Sequence, residues 1–157
     1  HDVVIIMCRI IVHNFFYMTA QALLFTLAAI GISETVYLIR KRKAEEKPVC
    51  VIGGECTKVL SSKYNTFFGI HNDVLGLLFY LAVAVATAFL VIGWPEAYLP
   101  RLEVGVKLAV YGALLMSAYF VFLQWRVIKA WCFWCLMSAF TVACMTLIVF
   151  ISSLIVL

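Results

Sequence analysis

The chain is predicted to be an all-α integral membrane protein, a bundle of four transmembrane helices forming one domain over residues 1–157. Three observations predict it. Hydrophobic residues make up 66% of the sequence and charged residues only 13%, against roughly a quarter charged in soluble domains. The apolar residues gather into four runs, each close to the ~20 residues that cross a ~30 Å hydrocarbon core. Trp94, Tyr98, Trp125 and Trp131 lie at the ends of those runs, where interfacial aromatics belong. A single segment of that length satisfies its own backbone in lipid only as a helix.

Residues Val3–Met18 precede the first run. They are apolar but carry Arg9, His13 and Asn14, so they extend the first helix, lie along the interface or form a separate element; the sequence leaves the three readings open. No secretory signal with a small-residue cleavage site is present, nor any internal repeat. The first span covers about Thr19–Ile39 and stops at the basic cluster Arg40–Lys43. The second covers about Val74–Trp94 and stops at Pro95. The third covers about Val104–Leu123 and stops at Gln124-Trp125-Arg126. The fourth begins near Trp131 and runs to Leu157.

Residues 40–73 form the one long polar loop. Its charged opening, Arg40 to Lys47, is solvated chain. Pro48 leads into Cys50-Val-Ile-Gly-Gly-Glu-Cys56, where Gly53-Gly54 permits a tight turn. That turn brings the two sulfurs within reach of a disulfide, which needs Cα atoms less than about 7 Å apart. Thr57–Ser62 suits a short helical turn with Val59 and Leu60 toward the membrane. Asn65–Ile70 returns apolar bulk downward, so the loop is expected to lie as a lid on the bundle. Asn72 or Asp73 is the expected N-cap of the second span.

Two cysteine pairs carry the chemistry. Cys132-Phe-Trp-Cys135 opens the fourth span; a Cys-x-x-Cys at a helix start is a redox geometry, because the helix N-terminus favours a thiolate and the second sulfur can close a disulfide. Two spans separate Cys56 from Cys132, so both pairs lie on the same side of the membrane whatever its orientation. A relay between them is open, as are two independent structural disulfides. A four-thiolate zinc site is disfavoured by the loose Cys-x5-Cys spacing. Lys129, three residues before Cys132, shares a helical face with it if the helix begins early enough, and would then favour the thiolate or snorkel to the interface. Cys8 and Cys144 sit in apolar surroundings and read as packing residues.

In order and spacing the chain resembles the vitamin K epoxide reductase family over about residues 19–157. The resemblance rests on Cys50-x5-Cys56, Val59-x-Ser61-Ser62-x-Tyr64, Phe68-Gly69-Ile70, Asn72-x-x-Leu75-Gly76-x-x-Phe79-Tyr80 and Cys132-x-x-Cys135. It implies a four-helix bundle around a quinone pocket, of menaquinone or ubiquinone type, under a lid with a half-helix. It implies that Cys135 acts on the quinone, that Cys132 exchanges with Cys56, and that Cys50 is attacked by a thioredoxin-like redox partner. Asn72 matches the position that hydrogen-bonds a quinone carbonyl. Ser61 or Ser62 matches the half-helix serines near the active site, and Phe79 and Tyr80 complete the implied quinone-binding set. Ala139 stands where vertebrate members carry a quinone-contacting tyrosine, which argues against vitamin K epoxide as substrate. Many bacterial members carry a fused thioredoxin-like domain after a further span; with Leu157 the last residue, the thiol partner is expected to be a separate protein, or the sequence to be cut short of such a domain.

The expected activity is therefore a membrane thiol–disulfide oxidoreductase that passes electrons from a thioredoxin-like partner through Cys50/Cys56 to Cys132/Cys135 and on to a quinone. The alternative is a non-catalytic lipid- or quinone-binding or assembly protein braced by structural disulfides. The quinone-reducing disulfide-bond protein B family has its two pairs in the reverse order, which disfavours it. The expected location is the cell membrane, multi-pass. Nine basic residues from Arg40 to Lys129 lie on the cysteine face, and Arg101 and Lys107 opposite. The positive-inside rule would put the cysteines in the cytoplasm; disulfide generation is usually extracytoplasmic, and most bacterial family members face outward. The reading leans outward, with a cytoplasmic face the alternative for an inverted member. The net charge of +4 is membrane-flank bias, not nucleic-acid binding.

Overall fold

The computed structural model describes residues 2–50, 56–67, 69–93 and 96–156. Gly53-Gly54, Phe68, Trp94 and Pro95 lie outside the described residues, as does the side chain of Cys8. Four helices are long and apolar enough to cross a membrane. Helix α1 is Asp2–Lys43, α2 is Cys56–Leu60, α3 is Asn72–Ile92, α4 is Leu99–Leu123 and α5 is Phe133–Val156.

Residues 3–18 extend the first helix. At 42 residues, α1 is about 63 Å long at 1.5 Å per residue, twice the ~30 Å hydrocarbon thickness. At the other end it continues past Ile39 through Lys43, because basic side chains suit a helix C-terminus. Glu45 then takes the left-handed conformation (φ 55°), and the Ala44 and Glu46 N–H groups close back on the Arg40 and Lys41 carbonyls. Helix α3 ends at Ile92, where left-handed Gly93 returns its N–H to Phe89 O at 3.0 Å. Helix α4 starts earlier than the hydropathy suggests, with Pro100 in its first turn. It runs on as a π-turn over Gln124–Ile128.

The N-cap expectation at Asn72 or Asp73 is corrected. Helix α3 begins at Asn72, and its N-cap residue is His71, whose side chain makes no cap hydrogen bond. Asp73 Oδ1 accepts the first-turn Val74 N–H at 2.9 Å, and both candidate side chains also bond outside the helix. Asn72 donates its amide to Tyr64 O at 3.1 Å, and the Asp73 carboxylate receives Arg42 Nε and Nη2 at 2.8 and 3.1 Å. This bidentate pair ties the top of α1 to the top of α3, and hydrogen bonds to charged groups are worth about 1.5–3 kcal/mol. Asp73→Ala is therefore expected to lower stability by about that much; thermal unfolding in lipid measures it, and a change within about 0.5 kcal/mol, ordinary for a surface site, would refute it.

The spanning helices close into a ring. Helix α1 packs on α3 and α5, and α4 packs on α5 and α3. Residues at helical spacing point inward: Leu24 and Ala28 from α1, Val83 and Leu90 from α3, Val110 from α4, and Val142, Met145 and Val149 from α5. These positions fill the half of the bundle away from the lid. Bulky residues such as Phe15, Ile92, Leu108 and Leu115 point outward, as a lipid-facing surface requires. Small residues allow close approach: at Gly31 a Cβ would sit inside the Tyr80 ring.

The lid covers the opposite end. Helix α2 begins one residue earlier than expected, at Cys56 itself, and a single 3₁₀ turn over Lys63–Asn65 follows. Strands β1 (Thr66–Phe67) and β2 (Ile70–His71) pair antiparallel and lead into α3. Val59 is buried, whereas Ile70 faces outward, 44% exposed. The lid is held to itself by Asn65 Nδ2 donating to Leu60 O at 2.6 Å.

Candidate active site

Cys50 and Cys56 are joined by a disulfide, with Cα atoms 6.2 Å apart. Cys56 is fully buried and belongs to one small cluster with Val59, Ala130 and Cys132, against which Cys50 and Cys135 pack. The lid pair and the Cys132-x-x-Cys135 pair thus meet at one end of the bundle. Cys132 and Cys135 are free thiols, as is half-buried Cys144 within α5.

The strap into Cys50 is pinned on both sides of Val49. Trp134 Nε1 donates to Val49 O at 2.8 Å, and Val49 N–H donates to Tyr37 Oη at 3.1 Å. The Tyr37 and Trp134 rings stack with centroids 4.6 Å apart. Trp134 lies between the two cysteines of the motif, so the first turn of α5 holds the lid strap directly.

The structure also corrects the role expected of Lys129. It takes the left-handed conformation (φ 50°) at the end of the π-turn, and residues 129–132 are not helical, so Lys129 shares no helical face with Cys132. Buried Gln124 organises that end instead. Its Oε1 accepts the Cys132 N–H at 2.8 Å, and its backbone carbonyl accepts the N–H groups of Lys129 and Ala130. Cys132 lies one residue before the membrane-spanning segment. The Cys135 thiol hydrogen-bonded to it holds the Cys132 thiol below the usual range. Burial opposes this, and the Cys135 and Trp134 N–H groups reinforce it.

Beneath the lid lies a cavity of about 500 Å³, within the 300–1,000 Å³ range of small-molecule sites. Most of its wall is apolar. Cys135 lines it and Cys132 does not; Cys132 lies in the buried cluster that also holds Cys56. Ser62, Asn72, Phe79 and Tyr80 are in the wall. Ser61 is not; it is exposed, and its hydroxyl donates to Thr57 O at 2.7 Å. Tyr80 is fully buried, with its hydroxyl 2.8 Å from Ser138 Oγ.

A profile of the Vitamin K epoxide reductase family matches residues 22–151. The chain belongs to this family. No curated protein matches it. Membership brings a membrane oxidoreductase activity that generates disulfides, in a family whose members use quinones. The cavity fits such a group. Its volume admits a ring, its walls are apolar, and two buried oxygens, Asn72 Oδ1 and Glu34 Oε2, have no partner among the described residues.

Sequence reasoning missed four residues of this family member's site. Glu34 carried a signal, as the one Asp, Glu, Lys, Arg or His in the first apolar run, and an ionisable residue inside a span is a functional candidate by default. Gln124 read only as the polar end of a span. The sequence assigns no role to Tyr37 or Trp134, and their joint hold on Val49 has no sequence signature.

Proposed function

We propose that the protein oxidises a thioredoxin-like partner and reduces a quinone, with the lid cystine and the Cys132/Cys135 pair as successive carriers. One observation carries the reading: Cys132 shares one small buried cluster with Cys56 of the lid cystine while Cys135 lines the cavity. A partner thiolate attacks Cys50 Sγ and breaks the Cys50–Cys56 bond; the partner's second thiol then releases Cys50 as the partner closes its own disulfide. The freed Cys56 thiolate attacks Cys132 Sγ of the Cys132–Cys135 disulfide, and Cys135 leaves as a thiolate. Cys50 then attacks Cys56, restoring the lid disulfide and leaving the lower pair as a dithiol. That redox state, lid closed and lower pair open, is the one in the structure.

A bound quinone supplies an acceptor for two electrons and two protons. The protein's part is to hold Cys135 in the cavity wall, keep Cys132 close enough to re-form the disulfide, and offer hydrogen bonds to the acceptor's oxygens. Asn72 suits this last task. Its Nδ2 already binds Tyr64 O and retains a second hydrogen for a carbonyl, while its free Oδ1 accepts from a hydroxyl. Asn72, Ser62, Phe79 and Tyr80 are the proposed quinone contacts.

Protein in lipid vesicles with a short-tailed ubiquinone analogue and a reduced thioredoxin-like protein should produce one quinol per partner disulfide. Partner oxidation without quinol, or neither product, would overturn the reading. The relay has a separate check. In Cys50→Ala with excess quinone, Cys56 has no resolving thiol, so a Cys56–Cys132 disulfide should accumulate and appear by mass spectrometry after alkylation. Its absence across a range of redox buffers would make the two pairs independent.

A further inference from the structure

Glu34 is 8% exposed and lines the cavity beneath the lid. Its Oε2 has no hydrogen-bond partner, and it belongs to no ion pair among the described residues. The nearby cation on its own helix, Arg42, is committed to Asp73. A carboxyl inside a span is costly as a charge, and a largely apolar wall without a counter-ion accepts it as the neutral acid. In that form it is a hydrogen-bond donor and a proton source directed at whatever fills the cavity. Eight residues separate Glu34 from Arg42 on α1, about 12 Å along the axis. Arg42 is paired with Asp73 at the level of Asn72, so Glu34 enters the cavity about two helical turns deeper along α1 than that pair.

We propose that Glu34 is a catalytic acid that binds and protonates the quinone oxygen facing away from Asn72. The inference rests on the quinone reading of the cavity. The two electrons come from Cys132 and Cys135 as the bond between their sulfurs forms. Both sulfurs give up their protons in that step. Cys135 gives its proton to one quinone oxygen, the Glu34 O–H bond breaks toward the other, and the resulting carboxylate is reprotonated by the Cys132 proton, which passes along the Cys132–Cys135 hydrogen bond. Two electrons and two protons leave the dithiol and two of each reach the acceptor, so Glu34 ends as it began. Cys132 does not line the cavity, so one of the two dithiol protons enters by way of Cys135, and an acid in the wall delivers its equivalent to the far oxygen.

The test uses the full chain in lipid and a short-tailed ubiquinone analogue. Infrared difference spectra should contain a protonated-carboxyl band that moves to lower frequency on adding the quinone, as the acid gains an acceptor, and that is missing from Glu34→Gln. Quinol formation by Glu34→Gln should fall about 10²–10³-fold in kcat, the range for a lost general acid, with KM nearly unchanged because the amide still donates. Glu34→Asp should recover part of the rate. Disulfide exchange between the partner and the Cys132/Cys135 pair, followed without quinone, should match the parent protein in all variants. Parent turnover with an unimpaired Glu34→Gln, or a quinone-responsive carboxyl band that survives in Glu34→Gln, would overturn the assignment alone. The band is read in the parent protein, so a variant that fails to fold leaves the assignment open to refutation by a missing band. Failure of the parent protein itself to form quinol would instead remove the reading on which the assignment rests.

Discussion

Cys135→Ser is expected to stop quinol formation, with a loss of about 10³-fold or more in kcat, the scale seen when a nucleophile is removed from a catalytic unit. Serine matches the thiol in shape but cannot form a disulfide, so the lower pair loses its two-electron couple. The upper half of the relay should survive. The Cys50–Cys56 disulfide is separate from Cys135, and the partner should still reduce it. Cys132→Ser should also stop turnover but for a different reason, because it removes the sulfur packed against Cys56. The two variants are distinguished by the lid: electrons should stall at Cys50/Cys56 in Cys132→Ser, whereas in Cys135→Ser the remaining Cys132 thiol can attack Cys56 of the lid disulfide, releasing Cys50 as a thiolate, and the resulting Cys56–Cys132 bridge should be trapped by alkylation. Quinol production measured by ultraviolet absorbance decides the first point. Undiminished turnover by Cys135→Ser would rule out its placement at the acceptor.

Gly31→Ala is expected to be the most damaging change outside the cysteines. An alanine Cβ at this position overlaps the Tyr80 ring, and the ring can yield only by swinging into the cavity it lines and giving up the bond between its hydroxyl and Ser138 at 2.8 Å. Overpacking costs about 1–3 kcal/mol, and unpairing the buried hydroxyl adds about 1–3 kcal/mol. Tyr80 and Ser138 also line the cavity, so the KM for quinone should rise with the loss of stability. Gly112→Ala is the matched control. Nothing lies within 4 Å of a Cβ there, and alanine is the better helix former by about 1 kcal/mol, so that variant should be neutral or more stable. Thermal unfolding in lipid measures both. Equal midpoints for Gly31→Ala and the parent would contradict the packing of α1 against α3.

The two sets of predictions draw on different levels of the molecule. Cys135 is marked by the Cys-x-x-Cys pattern and the family resemblance, both of them properties of the linear chain. Gly31 carried no such signal, because a glycine in an apolar run is ordinary and only the approach of Tyr80 makes it indispensable. Lys129 is the opposite case: spacing suggested a helical neighbour for Cys132, and the π-turn at 124–128 broke the geometry on which that depended. The N-cap of α3 failed for a related reason. Local propensity favours Asn72 and Asp73, but a guanidinium 31 residues away in sequence and the Tyr64 carbonyl compete for their side chains.

Run lengths, terminal aromatics and the parity of crossings are properties of the linear chain, since bilayer thickness dictates how many residues cross and counting crossings dictates which loops share a side. Four spans and two cysteine pairs on one face follow from them. Which helix touches which, which sulfur meets the lid and which the cavity, and that Glu34 and Gln124 turn inward are matters of assembly. Spans in lipid are apolar all the way around, so their sequences lack the polar–apolar periodicity that marks a buried face in water. Only the closed ring of α1, α3, α4 and α5 under its lid assigns each polar side chain an inside.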